Sequence, residues 1–192
     1  MREPPQVRGV AFLEAIRHVR EKGGDAELAA IVADAGAPAQ RVLAEKVRKV
    51  AWYGYDAYAG FLEAIDRRYG KGDGAYGRTI GTLAGKRDLG TVLKIYVAVA
   101  SPERLIRGSA KIWEGYYKNA GNMWAVAWTS DRTVLRVDGF PEMARVHCRL
   151  MEGWMIATME SIGCAVDPGG RETACVHDGA AYHEFSATWR RR

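Results

Sequence analysis

Residues 171–185 read RETACVHDGAAYHEF and place two glutamates, one cysteine and two histidines within fifteen positions. Asp178-Gly179 is a strong turn signal between two β-type runs, Glu172 to Val176 and Tyr182 to Trp189. The stretch therefore predicts a β-hairpin. Its polar residues suit half of a metal site, and they equally suit an ordinary hairpin. Cysteine is among the most buried residue types. His183 shares a strand face with Phe185, Ala187 and Trp189, which suits a hydrogen-bonded core histidine.

Upstream of the hairpin, Met143, Val146, Leu150, Met151, Trp154, Met155 and Met159 form a broad apolar face. They predict a long helix from Pro141 to about Ile162, stopped by Gly163. Before it come two more β-type runs, Met123 to Trp128 and Thr133 to Asp138, in which Trp124, Val126 and Trp128 alternate onto one face. Ser101-Pro102-Glu103 opens a helix with an N-cap serine, proline in the first turn and an early acid. That helix carries Ile112, Trp113 and Tyr116 and is expected to end at Asn119-Ala120-Gly121.

The first part of the chain reads as helical. Helices are expected over 7–22, from Asp25 through Val32, from Pro38 toward Trp52, from Tyr55 to Tyr69, and from Leu89 to Ala98. Gly81 and Gly85, with Lys86-Arg87, lack the spacing and preceding strand of a phosphate-binding loop, so they read as a helix that tolerates glycine. The order is a helical half followed by β-β-α-β-β. That predicts an α+β fold in which a four-stranded antiparallel sheet packs against the long helix. Residues 1–90 are expected to form an N-terminal helical subdomain, and 91–192 an α+β ligand-binding domain.

Bulk properties narrow the function. The chain has 192 residues, 48% hydrophobic and 27% charged, with a net charge of +5. This charge is too mild to indicate nucleic-acid binding. No apolar run approaches the ~20 residues of a membrane span. No apolar leader follows Met1, and the three cysteines fall in the last quarter, so a reducing cytoplasmic setting is expected. Neither G-x-S-x-G nor H-E-x-x-H occurs, and Cys148 beside His147 is no dyad, because helix neighbours point about 100° apart. Enzymatic activity is not expected.

The stretches VRGVAFLEAIRHVREKGG (7–24), YDAYAGFLEAIDRRYGKGD (55–73) and ASPERLIRGSAKIWEGYYKNAG (100–121) resemble a myxobacterial paralogous family of about this length. The C-terminal half is similar to the 4-vinyl reductase domain. That domain is found in sensors of aromatic compounds, and its fold is related to haem–nitric-oxide-binding domains and to vesicle-tethering trafficking proteins. Domains of this type end in a hairpin carrying a glutamate, a cysteine three residues on, and a Cys-Glu-Phe run. Glu172 and Cys175 match the first part. His183-Glu184-Phe185 matches the second, with histidine where the family often has cysteine.

The resemblance implies a structural zinc site of Cys148, Glu172, Cys175 and His183. A hairpin centred on Gly179 opposes Cys175 to His183, provided that the loop has three residues or a bulge. Opposed Cβ atoms ~4.5–5.5 Å apart suit two ligands of one tetrahedral ion. Glu172 falls on the other strand face unless a bulge or bend intervenes. His147 faces another side of the helix and is left out of the site.

The resemblance also implies a sensory domain with an apolar pocket for a small hydrophobic or aromatic ligand, signalling through a homodimer or a protein partner. Tyr96, Trp113, Tyr117, Trp124, Trp128, Trp154 and Met155 are the candidate lining residues. The alternative is a scaffold of the trafficking type with a filled core. Haem is not expected, since the Tyr-x-Ser-x-Arg motif is missing and no histidine occurs between residues 19 and 146.

Overall fold

The computed structural model describes residues 2–91 and 101–191. Helix α1 (Gly9–Asp34) is two helices joined by a kink at Gly24, whose φ of 75° and ψ of −169° suit glycine alone. Helix α2 (Ala37–Leu43) stops well short of Trp52. Strand β2 (Trp52–Gly54) follows instead and pairs with β1 (Gln6–Arg8), which pairs in turn with β3 (Tyr117–Lys118). The expected helix to Trp52 fails because this aromatic segment is recruited to a small sheet. Arg8 and Lys118, from the two other strands, sit 5.4 and 4.5 Å from the Trp52 ring.

Helix α3 (Tyr55–Tyr69) buries Tyr58, Phe61, Leu62 and Ile65 as its spacing predicts. Helix α4 (Gly77–Thr91) follows. The expected helix at Leu89 to Ala98 lies largely outside the described residues. Ser101 caps α5 (Pro102–Arg107) by accepting from the Arg104 N–H at 3.4 Å. Gly108 separates it from α6 (Ser109–Tyr116), which ends before Asn119 because Tyr117 is extended and joins β3.

The larger sheet contains β4 (Asn122–Trp128), β5 (Arg132–Asp138), β6 (Cys164–Val166), β7 (Arg171–Ala174) and β8 (Tyr182–Arg191). It is antiparallel, in the order β4-β5-β8-β6, with β7 also pairing β8. The short β6 is additional to the four expected strands. Helix α7 (Arg145–Ser161) is the expected long helix, begun four residues late because Ala144 is extended.

Glycines decide how α4 meets α7. A Cβ on Gly77, Gly81 or Gly85 would run into the backbone of Val146, Leu150 or Trp154, and one on Gly153 would strike that of Arg78. These glycines, spaced four residues apart along α4, are the contact surface itself. One continuous apolar core joins Phe12 and Phe61 of the first layer to Met151, Phe185 and Trp189 of the second. Among the described residues, no helix is long and apolar enough to cross a membrane.

Candidate metal centre and apolar cavity

Cys148 lies in the first turn of α7 and is fully buried. The hairpin below it does not turn at Asp178-Gly179 alone. Val176–Asp178 forms one 3₁₀ turn, and Gly179 closes it at φ 90°. The Cys175 carbonyl accepts from both Asp178 N (3.0 Å) and Ala180 N (3.1 Å), so the loop wraps around this residue. Cys175 therefore has no partner across the hairpin, and His183 pairs with Val137 of β5. The expected direct opposition of Cys175 and His183 is corrected in this respect. The two still meet, because the register shifts between Glu172 and Ala174. That irregularity brings Glu172 and Cys175 to the side of His183.

Ligand atoms of Cys148, Glu172, Cys175 and His183 all lie within 4.8 Å of one another. His183 Nδ1 is 3.5 Å from Cys148 Sγ and 3.0 Å from Glu172 Oε1. A tetrahedral zinc with Zn–S ~2.3 Å and Zn–N or Zn–O ~2.0 Å sets sulfur–nitrogen and nitrogen–oxygen edges of about 3.5 and 3.3 Å. The side chains of His183 and Glu172 are 0% and 3% exposed, so bulk solvent hardly reaches them. His183 Nε2 and Glu172 Oε2 are buried without a hydrogen-bond partner. Burial, then the neighbouring Glu172 and Cys175, pushes the Cys148 thiol far above the ordinary thiol range. Burial also raises Cys175. A divalent cation held by these donors would reverse that balance and favour the thiolates.

Glu152 fixes this geometry and was not foreseen. It sits one helical turn past Cys148, on the same face of α7, with a side chain 3% exposed. Its Oε1 accepts the Glu172 backbone N–H at 2.8 Å and Arg149 Nη1 at 2.6 Å. Arg78 Nη1 of α4 lies 3.6 Å from its Oε2, and Arg78 Nη2 donates to the carbonyls of Pro168 and Gly170. Glu152 thus ties β7 to α7 beside the cluster. The signal available in the sequence was an acid inside the apolar face of α7.

His147 does point away from the cluster, into the core. Its Nδ1 is 2.9 Å from the Tyr55 hydroxyl and its Nε2 is 2.7 Å from the Tyr117 hydroxyl. Burial lowers its pKa to about 3, so the ring is neutral. Tyr55 accepts the Ala144 N–H at 2.9 Å. The arrangement that also uses the Tyr55 proton has it donated to Nδ1, with Nε2–H donating to Tyr117. His177 donates or accepts at neither centre; its Nε2 is bound to the Met143 carbonyl at 2.7 Å. Cys164 is simply buried, on β6.

Of the expected lining residues, Trp113, Tyr117 and Trp154 border a cavity of about 40 Å³ between α1, α3, α4, α6 and α7. Met155 borders a second cavity of about 50 Å³, which shares Ile112, Met123 and Trp154 with the first. Trp124 and Trp128 line neither. They project from the outer face of β4, 39% and 40% exposed, while Met123 turns inward at 2%. Alternation groups residues onto one face without saying which face is covered. Tyr96 lies outside the described residues.

No family model matches the chain, and no curated protein matches it. Solved structures do. An Fe(II) unliganded H-NOX protein variant from K. algicida superposes with a TM-score of 0.71 at 12% identity, covering 96% of this chain and 97% of that one. The fold is that of H-NOX domains. A variant SO2144 H-NOX domain from Shewanella oneidensis in the Fe(II)CO state gives 0.71 at 11% identity, over 94% and 97% of the two chains. An H-NOX protein from S. oneidensis in the Fe(II)NO state gives 0.67 at 12%, over 95% and 99%. Identity this low establishes architecture and not a shared ligand.

Proposed function

We propose that this chain is a small-molecule-binding sensory domain whose C-terminal hairpin is locked by a structural zinc ion. The observation that carries the metal centre is the convergence of Cys148, Glu172, Cys175 and His183 from α7, β7, the hairpin loop and β8. Four protein ligands leave no open position, so the ion ties the hairpin to the helix and does no chemistry. The sensing half rests on the H-NOX fold and on the aromatic-lined cavity beside Trp113 and Trp154. The ligand is small and apolar or aromatic, and its binding is read by a homodimer or a protein partner.

Haem is the group that the Fe(II) state of the neighbouring H-NOX structures raises, and those neighbours lend no support to excluding it. The described residues themselves do not fit it. Both nitrogens of His147 are committed to tyrosines, and neither cavity approaches the ~300–1,000 Å³ of sites for drug-sized ligands. A Soret band in purified protein would reverse this reading.

The small cavities favour a second reading, a scaffold that binds no ligand. Thermal unfolding across a panel of aromatic and short aliphatic compounds separates the two. A ligand that binds only the native state raises Tm. Saturable stabilisation supports the sensor, and no shift across the panel supports the scaffold.

A further inference from the structure

The cavity beside Trp113 has one charged residue in its wall, Glu14 of α1. Among the described residues, Glu14 Oε2 is the only buried polar side-chain atom of that wall without a hydrogen-bond partner. Arg87 Nη1 is 3.6 Å away, close enough to attract and too far to donate. Arg87 is not part of the wall; its Nη2 hydrogen-bonds Glu21, while Nη1 is buried without a hydrogen-bond partner and faces Glu14. Arg17 reaches only Oε1, at 3.7 Å, from an exposed position.

The other polar groups of the wall are engaged. The Tyr117 hydroxyl is bound to His147, and Tyr58, Tyr116 and Trp154 take part in interactions of their own. Glu14 Oε2 is thus ion-paired with Arg87 but accepts no hydrogen bond, and it is set among the rings of Tyr58, Trp113, Tyr116, Tyr117 and Trp154. A protonated amine satisfies both features. Its N–H donates to the carboxylate in a charge-assisted bond, and its charge is favoured by aromatic faces. A carboxylate ligand meets like charge instead. Beyond Met123 the second cavity is mostly apolar, with Thr133 and Thr158 among its polar exceptions, and is bordered by Met155 and Met159, whose unbranched side chains repack readily around a tail.

We propose that this cavity binds a small primary amine, with its ammonium head on Glu14 and its apolar body running past Trp154 and Met123. This inference rests on the sensing reading and names its ligand class. The test titrates benzylamine, n-hexylamine, benzyl alcohol, n-hexanol and benzoate into the full chain and into Glu14→Gln, followed by tryptophan fluorescence and Tm. The amines are expected to bind saturably and tighter than the alcohols, and benzoate to fail. Glu14→Gln is expected to weaken the amines by about tenfold or more, the cost of a lost charge-assisted hydrogen bond, with the alcohols unchanged. Unchanged alcohol binding also shows that the variant is folded. Alcohols or benzoate binding as tightly as the amines, or amine affinity unaltered in Glu14→Gln, overturns the amine assignment and leaves a ligand site standing. Failure of all five compounds overturns the sensing reading with it.

Discussion

Replacing Gly81 by alanine sets two opposed effects against each other. In a helix, alanine is favoured over glycine by about 1 kcal/mol. Against this, the new Cβ would strike the Leu150 carbonyl oxygen and lie 2.7 Å from its carbon and 2.9 Å from Trp154 N. Carbon atoms rest ~3.5–4.0 Å apart, so α4 and α7 would have to part by about 1 Å. The obstacles are backbone atoms, and no side-chain rotation relieves them. Overpacking of this kind costs about 1–3 kcal/mol, here at the upper end because separation also loosens the contacts of Gly77, Gly85 and Gly153. The net loss is about 2 kcal/mol, or a Tm lower by about 4–8 °C for a chain of this size. Thermal melts by circular dichroism read this directly. Gly115→Ala is the control: Gly115 lies in α6 with no atom within 4 Å of its Cβ position, so alanine there should raise Tm slightly. A Gly81→Ala protein as stable as the parent, or more so, would refute the close-packed reading of the α4–α7 contact.

Two further substitutions test the neighbouring layers. Glu152→Gln keeps an acceptor for the Glu172 N–H but loses the charge that holds Arg149 and Arg78, and should weaken zinc affinity by about 10–100-fold in a chelator competition; unaltered affinity would remove Glu152 from the site. Tyr117→Phe keeps the ring against Trp113, 4.2 Å between centroids, but strands a buried His147 nitrogen, and should cost about 1–3 kcal/mol in denaturant unfolding. An unchanged midpoint would mean that the Tyr55–His147–Tyr117 chain contributes nothing to the core.

The elements that local chemistry specifies were legible in the sequence. The Ser101 cap, the periodicity of Tyr55–Tyr69 and the apolar face of α7 each depend on residues a few positions apart. What depended on distant partners was hidden. Trp52 pairs with a strand at the far N-terminus, and no local pattern announces it. The register shift between Glu172 and Ala174 puts Glu172 into the cluster, and a β-bulge has no fixed sequence signature. The metal-ligand set came from resemblance, and the spacing of Cys175 and His183 alone suggested a pairing that the hairpin does not make. Gly81 and Gly85 read as tolerated because their reason for being glycine is the backbone of another helix. His147 and Cys148 face opposite layers, and both layers are buried, so adjacency in sequence concealed two separate roles.

The zinc content of protein purified without a histidine tag tests the central claim most directly. One zinc per chain is expected, falling to none in Cys175→Ala, with the parent Tm lowered when a strong chelator removes the ion. A folded parent protein that carries no metal and gains no stability from added zinc would contradict the account.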